Sequence, residues 1–171
     1  MNLKAIIREF PDFPKPGILF RDISPVLKDP QALSHVVEAL CDRFEGQEID
    51  LVAGIESRGL AFAALMAAHL GKGTIMVRKK GKLPGPVEHV SYGLEYGTDA
   101  LEIQKDAVHP GQKVLIVDDL LATGGTASAA AKLIEGQGGV VVGSAFVIEL
   151  TALKGRQVLK DHPIEVLVSY D

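Results

Sequence analysis

The strongest fold signal in the chain is Val114-Leu115-Ile116-Val117-Asp118-Asp119-Leu120-Leu121-Ala122-Thr123-Gly124-Gly125-Thr126-Ala127. The apolar run predicts a buried strand, two adjacent carboxylates follow at its carboxyl end, and a turn of small residues leads into a helix. Ligands of open α/β sheets bind at the carboxyl ends of the strands. The segment therefore predicts both a strand-turn-helix unit and a binding site.

Strand and helix patterns alternate on both sides of this segment. Buried strands are predicted at residues 51–55, 74–77, 140–148 and 164–168, and helices at residues 3–10, 30–45, 60–70 and 127–134. Moderate alternation over residues 92–103 predicts a hairpin. This order of elements favours an α/β fold with a mainly parallel central sheet flanked by helices. Because the 171 residues contain neither a repeat nor a linker, we expect a single domain over residues 1–171.

Composition and charge exclude several classes of protein. The chain is 47% hydrophobic, so it has enough apolar residues for a core and is not a disordered segment. A net charge of −4 gives no overall attraction to nucleic acid or to an anionic membrane, and neither is expected as a partner. The one cysteine, Cys41, cannot form an internal disulfide, and no stretch approaches the roughly 20 apolar residues of a membrane span. We expect a cytoplasmic protein.

The turn Thr123-Gly124-Gly125-Thr126 has the features of a phosphate-binding loop. Unobstructed backbone N–H groups, two hydroxyls and the positive end of a helix dipole together suit a phosphate monoester. The two preceding aspartates would repel such a ligand unless they accept hydrogen bonds from sugar hydroxyls or face a cationic centre. The alternative is a strand end with one capped Asp and a glycine turn. The chain contains no Walker A, GxGxxG or GxSxG motif, so nucleoside triphosphatases, Rossmann dehydrogenases and serine hydrolases lack support.

This segment resembles the sequence by which type I phosphoribosyltransferases bind 5-phosphoribosyl-1-pyrophosphate (PRPP). Further stretches resemble the adenine-specific members of that family: residues 13–25, Glu56-Ser57-Arg58-Gly59, Gly81-Lys82-Leu83-Pro84-Gly85-Pro86 and Leu94-Glu95-Tyr96-Gly97. The resemblance covers nearly the whole chain. It implies the type I phosphoribosyltransferase fold, with an N-terminal hood over roughly residues 1–30 and a flexible catalytic loop over roughly residues 79–98.

The resemblance also implies a reaction, its partners and its cofactor. The phosphoribosyl group of PRPP is transferred to N9 of adenine, giving AMP and pyrophosphate, with Mg²⁺ held mainly by PRPP rather than directly by the protein. The five histidines lack metal-ligand spacing, so none is assigned as a metal ligand. The family further suggests a homodimer.

The family match assigns PRPP and AMP binding to the segment quoted first. Asp118 and Asp119 would hold the ribose hydroxyls and favour positive charge on the sugar. The 5-phosphate would be bound by Ala122, Thr123, Gly124, Gly125 and Thr126. Binding energy at the phosphate would orient the ribose C1 atom for attack.

A second anion site is implied at the turn that contains Ser57 and Arg58, which would bind the pyrophosphate. Arg58 offers a bidentate fork for its oxygens, although the tetrapeptide alone is equally consistent with a helix cap and a solvated arginine. By resemblance, Lys82 serves its own site, Arg78 reaches the site of a partner subunit, and Tyr96 covers the closed site. Without the family, the lysines of this loop would be assigned to a solvated surface.

Proton transfer at the base is assigned by resemblance to Glu95. Adenine must lose its N9 proton when N9 attacks C1, and a carboxylate is suited to accept it. Together with Arg58 and Lys82, Glu95 forms the expected catalytic set. The sequence by itself favours an exposed hairpin acid at this position.

The hood is expected to bind adenine through Leu19, Phe20 and Arg21. Phe20 would stack on the purine, the Leu19 backbone would bind its edge, and Arg21 would position the hood. Core packing is the alternative for Phe20. Two alternatives for the function also stay open: specificity for hypoxanthine, guanine or xanthine, which the hood decides, and a ligand-sensing protein that binds nucleic acid.

Overall fold

A computed structural model describes residues 1–94 and 97–171 of the chain. Within these ranges the strands are β1 Arg8–Pro11, β2 Leu19–Asp22, β3 Leu51–Ile55, β4 Gly73–Lys79, β5 Val87–Leu94, β6 Gly97–Gln104, β7 Lys113–Leu121, β8 Val140–Leu150 and β9 Ile164–Tyr170. The α-helices are α1 Ser24–Lys28, α2 Pro30–Asp42, α3 Arg58–Leu70 and α4 Gly125–Gly136. Short 3-10 helices cover Leu3–Ala5, Thr151–Leu153 and Gly155–Gln157.

Seven of these strands form one sheet in the order β5-β6-β4-β3-β7-β8-β9. Strands β4, β3, β7, β8 and β9 run parallel, whereas β5 and β6 form an antiparallel hairpin that joins the sheet beside β4. The predicted, mainly parallel sheet is therefore confirmed. Since β4, β3 and β7 are neighbours that run in one direction, their carboxyl ends meet at one edge of the sheet.

Helices cover both faces of the sheet. Leu115 and Val117 of β7 belong to a core formed with α2 and α3, whereas Val114 and Ile116 belong to a second core formed with α4. Alternate side chains of a strand point to opposite faces, so the unbroken apolar run in β7 contributes to both cores. In the part of the chain that is described, no helix is both long and apolar enough to cross a bilayer.

The N-terminal segment forms a hairpin where the sequence predicts a helix over residues 3–10. The helical spacing yields only the 3-10 turn Leu3–Ala5, after which β1 pairs antiparallel with β2. The reason is a contact distant in sequence, because Arg8 of β1 forms an ion pair of 2.5 Å with Asp22 of β2. Pairing between the strands thus outweighs the local helical pattern.

Helix α2 begins as its sequence predicts. The Asp29 carboxylate accepts hydrogen bonds from the N–H groups of Gln31 at 2.8 Å and Ala32 at 3.1 Å, and Pro30 occupies the first helical position. These are the ordinary preferences of a helix start. The short helix α1, which precedes it, was not predicted.

Strand β5 lies inside the segment for which a flexible catalytic loop is expected. The expectation covers residues 79–98, but β4 continues to Lys79 and β5 begins at Val87. The part between these two strands is therefore only residues 80–86. Pairing along β6 gives β5 a backbone partner that local composition does not reveal.

Strand β3 and helix α3 pack with almost no space between them. A Cβ atom on Gly54 would lie 2.7 Å from Ala63 Cβ and 2.9 Å from Leu60 Cα. Only glycine fits at this position. Because the connection from β3 to α3 contains Ser57 and Arg58, this contact sets the position of two predicted site residues.

We expect Gly54→Ala to lower the free energy of unfolding by about 1–3 kcal/mol, because the added methyl group must displace helix α3. Urea denaturation followed by circular dichroism measures the change. Gly136→Ala is the matched control, since a Cβ at that position meets nothing within 4 Å. Equal unfolding midpoints for the two variants would contradict the close packing.

Candidate active site

A cavity of about 530 Å³ opens at the carboxyl ends of β3, β4 and β7. The predicted residues that line it are Ser57, Arg58, Asp118, Asp119, Ala122 and Thr126. A cavity of about 660 Å³ lies at the opposite end of the strands, where it is lined by Asp50 and Lys113. Chemistry rather than size identifies the site, because the smaller of these two cavities is the one that joins the predicted anion-binding turns.

The predicted phosphate-binding loop connects β7 to α4. Ala122, Thr123, Gly124 and Thr126 line a small pocket of about 50 Å³, which shares Ala122 and Thr126 with the larger cavity. Gly124 has a φ of +83°, and Gly125 is the first residue of the helix. Backbone N–H groups at a helix N-terminus together with threonine hydroxyls are suitable donors for a small anion in this pocket.

The backbone behind this loop leaves no room for side chains. A Cβ on Gly124 would lie 2.6 Å from the carbonyl oxygen of Gly155, and a Cβ on Gly155 would lie 2.5 Å from the carbonyl oxygen of Ala122. Arg156 fixes the segment, since its Nε donates to the buried Glu149 carboxylate at 2.9 and 3.0 Å. Sequence analysis missed this support, because a single glycine between charged residues has no pattern that indicates it.

Arg58 and Asp119 connect the two anion-binding turns. Arg58 Nε donates to Asp119 Oδ2 at 2.5 Å. The Asp119 side chain is 7% exposed, whereas that of Arg58 is 39% exposed. A buried carboxylate is stabilised by such a charged donor. Arg58 is therefore not the freely solvated arginine that the tetrapeptide alone allows.

The carboxyl of Asp118 differs from that of its neighbour. Burial raises the pKa of Asp118 well above its usual range, and the adjacent Asp119 carboxylate raises it further. Helix α3 adds to this burial, because a Cβ on Gly59 would lie only 2.8 Å from Asp118 Oδ1. The strand end thus presents one carboxylate paired with a cation and one carboxyl that retains its proton to higher pH.

Glu56 ties the turn between β3 and α3 to the end of β4. Its carboxylate accepts hydrogen bonds from the N–H group of Lys79 at 3.0 Å and from Arg78 Nε at 3.2 Å. Burial opposes ionisation of Glu56, but these hydrogen bonds and the nearby cations lower its pKa. The Glu56–Ser57 peptide bond is cis. The hydrogen bonds of Glu56 hold this turn, in which Ser57 and Arg58 lie on the cavity wall.

Phe20 brings the hood to the site. Its ring is half-buried, packs edge-on against Phe13 with 5.1 Å between the centroids, and lies 5.7 Å from the Arg58 guanidinium. Leu19 beside it is exposed. A half-buried ring next to an active-site arginine is available to a planar ligand, unlike a ring in a closed core.

Arg21 does not face the cavity. Its guanidinium lies 3.9 Å from the centre of the Tyr170 ring and forms an ion pair with Glu9. This side chain therefore anchors the hood to β9, as expected of a residue that positions the hood. The assignment of Arg21 to the adenine-binding set remains a prediction.

Lys82 and Arg78 do not line the cavity. Lys82 is exposed, and its charge contributes to the lowered pKa of Glu56. Arg78 donates to Glu56 and, at 3.2 Å, to the Lys82 carbonyl oxygen of its own chain. Its role in a partner's site stays a prediction. Glu95 and Tyr96 lie outside the described residues.

Two polar residues on the cavity wall, Tyr92 and Asp99, were missed by sequence reasoning, and they lie close to Lys79. The Tyr92 hydroxyl donates to Asp99 Oδ2 at 3.3 Å, and Lys79 Nζ lies 3.6 Å from the same atom. Burial raises the pKa of Tyr92. The moderate alternation of residues 92–103 indicates only the hairpin and not which side chains turn toward the site.

Comparison with known proteins agrees with this geometry. A family model described as the phosphoribosyl transferase domain matches residues 23–168. Curated relatives from a Cyanothece species and from Nitrosopumilus maritimus, both named adenine phosphoribosyltransferase, are 59% and 54% identical over 99% of this chain and 100% of each relative. The chain belongs to the adenine phosphoribosyltransferase family.

Solved adenine phosphoribosyltransferases share the fold. The structure from Thermoanaerobacter pseudethanolicus has a TM-score of 0.95 at 53% identity and covers 98% of this chain and 97% of that chain. The structure from Saccharomyces cerevisiae, complexed with a dideoxy-imino-altritol bisphosphate and adenine, has a TM-score of 0.91 at 42% identity and covers 96% of both chains. The expected type I phosphoribosyltransferase fold is confirmed, and the chain is a pentosyltransferase of the adenine phosphoribosyltransferase family.

We expect Gly155→Ala to raise the KM for PRPP by about tenfold or more while the KM for adenine stays unchanged, because small displacements of a binding loop cost affinity and rate. The added methyl group would push against Ala122 and Gly124 in the phosphate-binding loop. Steady-state kinetics of pyrophosphate release measures both constants. Gly136→Ala serves as the control. If Gly155→Ala has the same kinetic constants as Gly136→Ala, the supporting role of Gly155 is contradicted.

Proposed function

We propose that the chain transfers the 5-phosphoribosyl group of PRPP to N9 of adenine, releasing pyrophosphate and giving AMP in purine salvage. The observation that carries the proposal is the shared cavity, in which the phosphate-binding loop, an acid pair and the Ser57-Arg58 turn meet beside Phe20. The yeast relative complexed with an imino-sugar bisphosphate and adenine supports the same pair of ligands.

The 5-phosphate serves as the handle of the substrate. Bound at the N-terminus of α4 by Thr123, Gly124, Gly125 and Thr126, it fixes the sugar without taking part in bond breaking. Binding energy at such a remote group is used to orient the reacting carbon. The close backbone packing behind Gly124 keeps the phosphate-binding loop rigid.

The acid pair stabilises the sugar as its bond to pyrophosphate breaks. Positive charge then develops on the ribose, and carboxyl groups placed near it lower the energy of that state. Asp119 and Asp118 are also acceptors for the ribose hydroxyls. Burial and Asp119 raise the pKa of Asp118, so a positive charge beside Asp118 would favour its ionised form and would itself be stabilised.

Negative charge develops on the departing pyrophosphate, and the Arg58 guanidinium on the cavity wall is the cation that binds it in this proposal. Its guanidinium already contacts Asp119 and lies near Phe20, so one side chain links the sugar, the pyrophosphate and the base. Lys82 adds a second charge from the loop after β4.

The base is held by the hood in this proposal. Phe20 supplies a stacking surface and the exposed Leu19 backbone supplies a hydrogen-bond partner for a 6-amino group. Glu95 accepts the N9 proton and Tyr96 covers the closed site, both by family resemblance. Arg21 acts at a distance by holding the hood against Tyr170.

In the proposed reaction, Mg²⁺ is bound mainly by PRPP. Among residues 1–94 and 97–171 there is no cluster of three or more His, Cys, Asp or Glu that could hold a metal ion. Asp118 and Asp119 are the carboxyls of the cavity that would face it. When bound, the ion neutralises charge on the leaving pyrophosphate. We place the reaction in the cytoplasm, because phosphate esters do not cross membranes unaided.

Pyrophosphate release with PRPP and Mg²⁺ tests the function when adenine, hypoxanthine, guanine, xanthine and orotate are offered separately. We expect release with adenine alone, because the hood offers acceptors for a 6-amino group. Wells without PRPP give the background. Release only with a 6-oxo base would contradict the assignment of the hood. If folded protein binds PRPP but releases no pyrophosphate with any base, a ligand-sensing role is favoured.

We further propose a homodimer in which Arg78 serves the partner's site, and mixing two inactive variants tests it. If Arg78→Ala and Glu95→Gln protomers exchange at random, about half of the dimers are mixed and each has one intact site, so activity returns to about a quarter of the wild-type rate. If Arg78 acts only on its own chain, every site keeps a lesion and the mixture stays at the level of the separate variants. Each variant mixed with itself is the control.

A further inference from the structure

The turn after β4 is held by a buried carboxylate of β6. Glu102 is 2% exposed and accepts hydrogen bonds from the backbone N–H groups of Gly81 at 2.9 Å, Lys82 at 2.9 Å and Leu83 at 2.7 Å. We call residues 80–83 the lysine turn. Hydrogen bonds to a charged acceptor are short and strong, so three of them on one carboxylate fix the turn firmly.

The carboxylate and the turn depend on each other. The N–H groups of Gly81 and Leu83 lower the pKa of Glu102 against the opposing effect of burial. A buried carboxylate without such donors would be costly, and backbone N–H groups turned inward without an acceptor would be costly too. Glu102 also sits at a fixed point of the sheet, paired in register with Arg78 of β4 and His89 of β5.

Arg78 holds the lysine turn from its carbonyl side. It donates to the Lys82 carbonyl oxygen at 3.2 Å and to Glu56 Oε2 at 3.2 Å. The N–H groups of the turn are thus directed at Glu102 and a carbonyl at Arg78, while the Lys82 side chain is exposed. Because Arg78 bridges the Lys82 carbonyl oxygen and Glu56, which lines the cavity, the lysine turn lies beside the cavity wall.

We propose that Glu102 is a positioning residue for the transfer reaction: it fixes the lysine turn so that the Lys82 ammonium stays on the Glu56 side of the cavity, where the pyrophosphate departs. This inference rests on the proposed function. Glu102 acts through Lys82 and does not touch the substrate. A turn that is ordered in advance avoids the entropy of ordering Lys82 when the pyrophosphate group of PRPP binds.

Amide hydrogen exchange of the wild-type chain tests the anchor directly. Although Gly81 and Lys82 are exposed, we expect the amides of residues 81–83 to exchange at least about tenfold more slowly than unprotected amides, because each is hydrogen-bonded to Glu102. Exchange at the unprotected rate would overturn the anchor without any variant being made.

Two variants then test the consequence for the reaction. Glu102→Gln replaces an acceptor oxygen by an amide donor, and we expect loss of protection in the lysine turn together with a rise of about tenfold in the KM for PRPP, the size that a lost charged hydrogen bond predicts. The KM for adenine should stay unchanged. The matched control is Glu88→Gln, which alters a carboxylate of β5 opposite Ile103 and should leave exchange and both constants at wild-type values.

The measured constants separate positioning from a merely structural role. A smaller folded fraction lowers total activity but changes neither KM, so a Glu102→Gln protein with both wild-type KM values overturns the proposal. If that variant does not fold, Glu102→Asp, which keeps the charge but withdraws it by one methylene, is measured in the same way. Wild-type protein that releases no pyrophosphate overturns the proposed function and this catalytic role with it, whereas the exchange rates decide the anchor itself.

Discussion

Backbone segments meet without intervening side chains at the end of β7, and the rest of the site depends on that contact. A Cβ would lie 2.8 Å from a neighbouring atom at Gly59, 2.6 Å at Gly124 and 2.5 Å at Gly155. Main-chain atoms cannot move aside as a flexible side chain can, so these positions admit only glycine. The contact brings the N-terminal ends of α3 and α4 to the same cavity, where their positive dipole ends favour anions.

Paired charges then define what the cavity can bind. The buried Asp119 carboxylate is paired with Arg58, and the Glu56 carboxylate with Arg78. A buried charge without a partner would destabilise the fold, so these pairs are needed before any ligand arrives. Asp118 is the exception, because its pKa is raised and Arg58 is hydrogen-bonded to Asp119 instead. It is the group on which a ligand with cationic character has the greatest effect.

The sequence predicts the parts of this protein that depend on local chemistry. The strand, acid pair and glycine turn of residues 114–127 form one continuous signal, and the Asp-Pro start of α2 is another. Contacts between distant residues are different, because periodicity and propensity contain no information about them. The stacking of Arg21 on Tyr170 and the supporting role of Gly155 belong to this class. The family resemblance supplies residue roles, but it does not reveal which groups hold those residues in place.

The anchoring of the lysine turn also determines which donors remain for the pyrophosphate. The N–H groups of residues 81–83 resemble an anion-binding nest, yet Glu102 already occupies them from inside the fold. A pyrophosphate that competed for these groups would have to displace a buried carboxylate and leave its charge unpaired. In the proposed reaction, the leaving group is therefore held by the side chains of Arg58 and Lys82 and by the turn at Ser57.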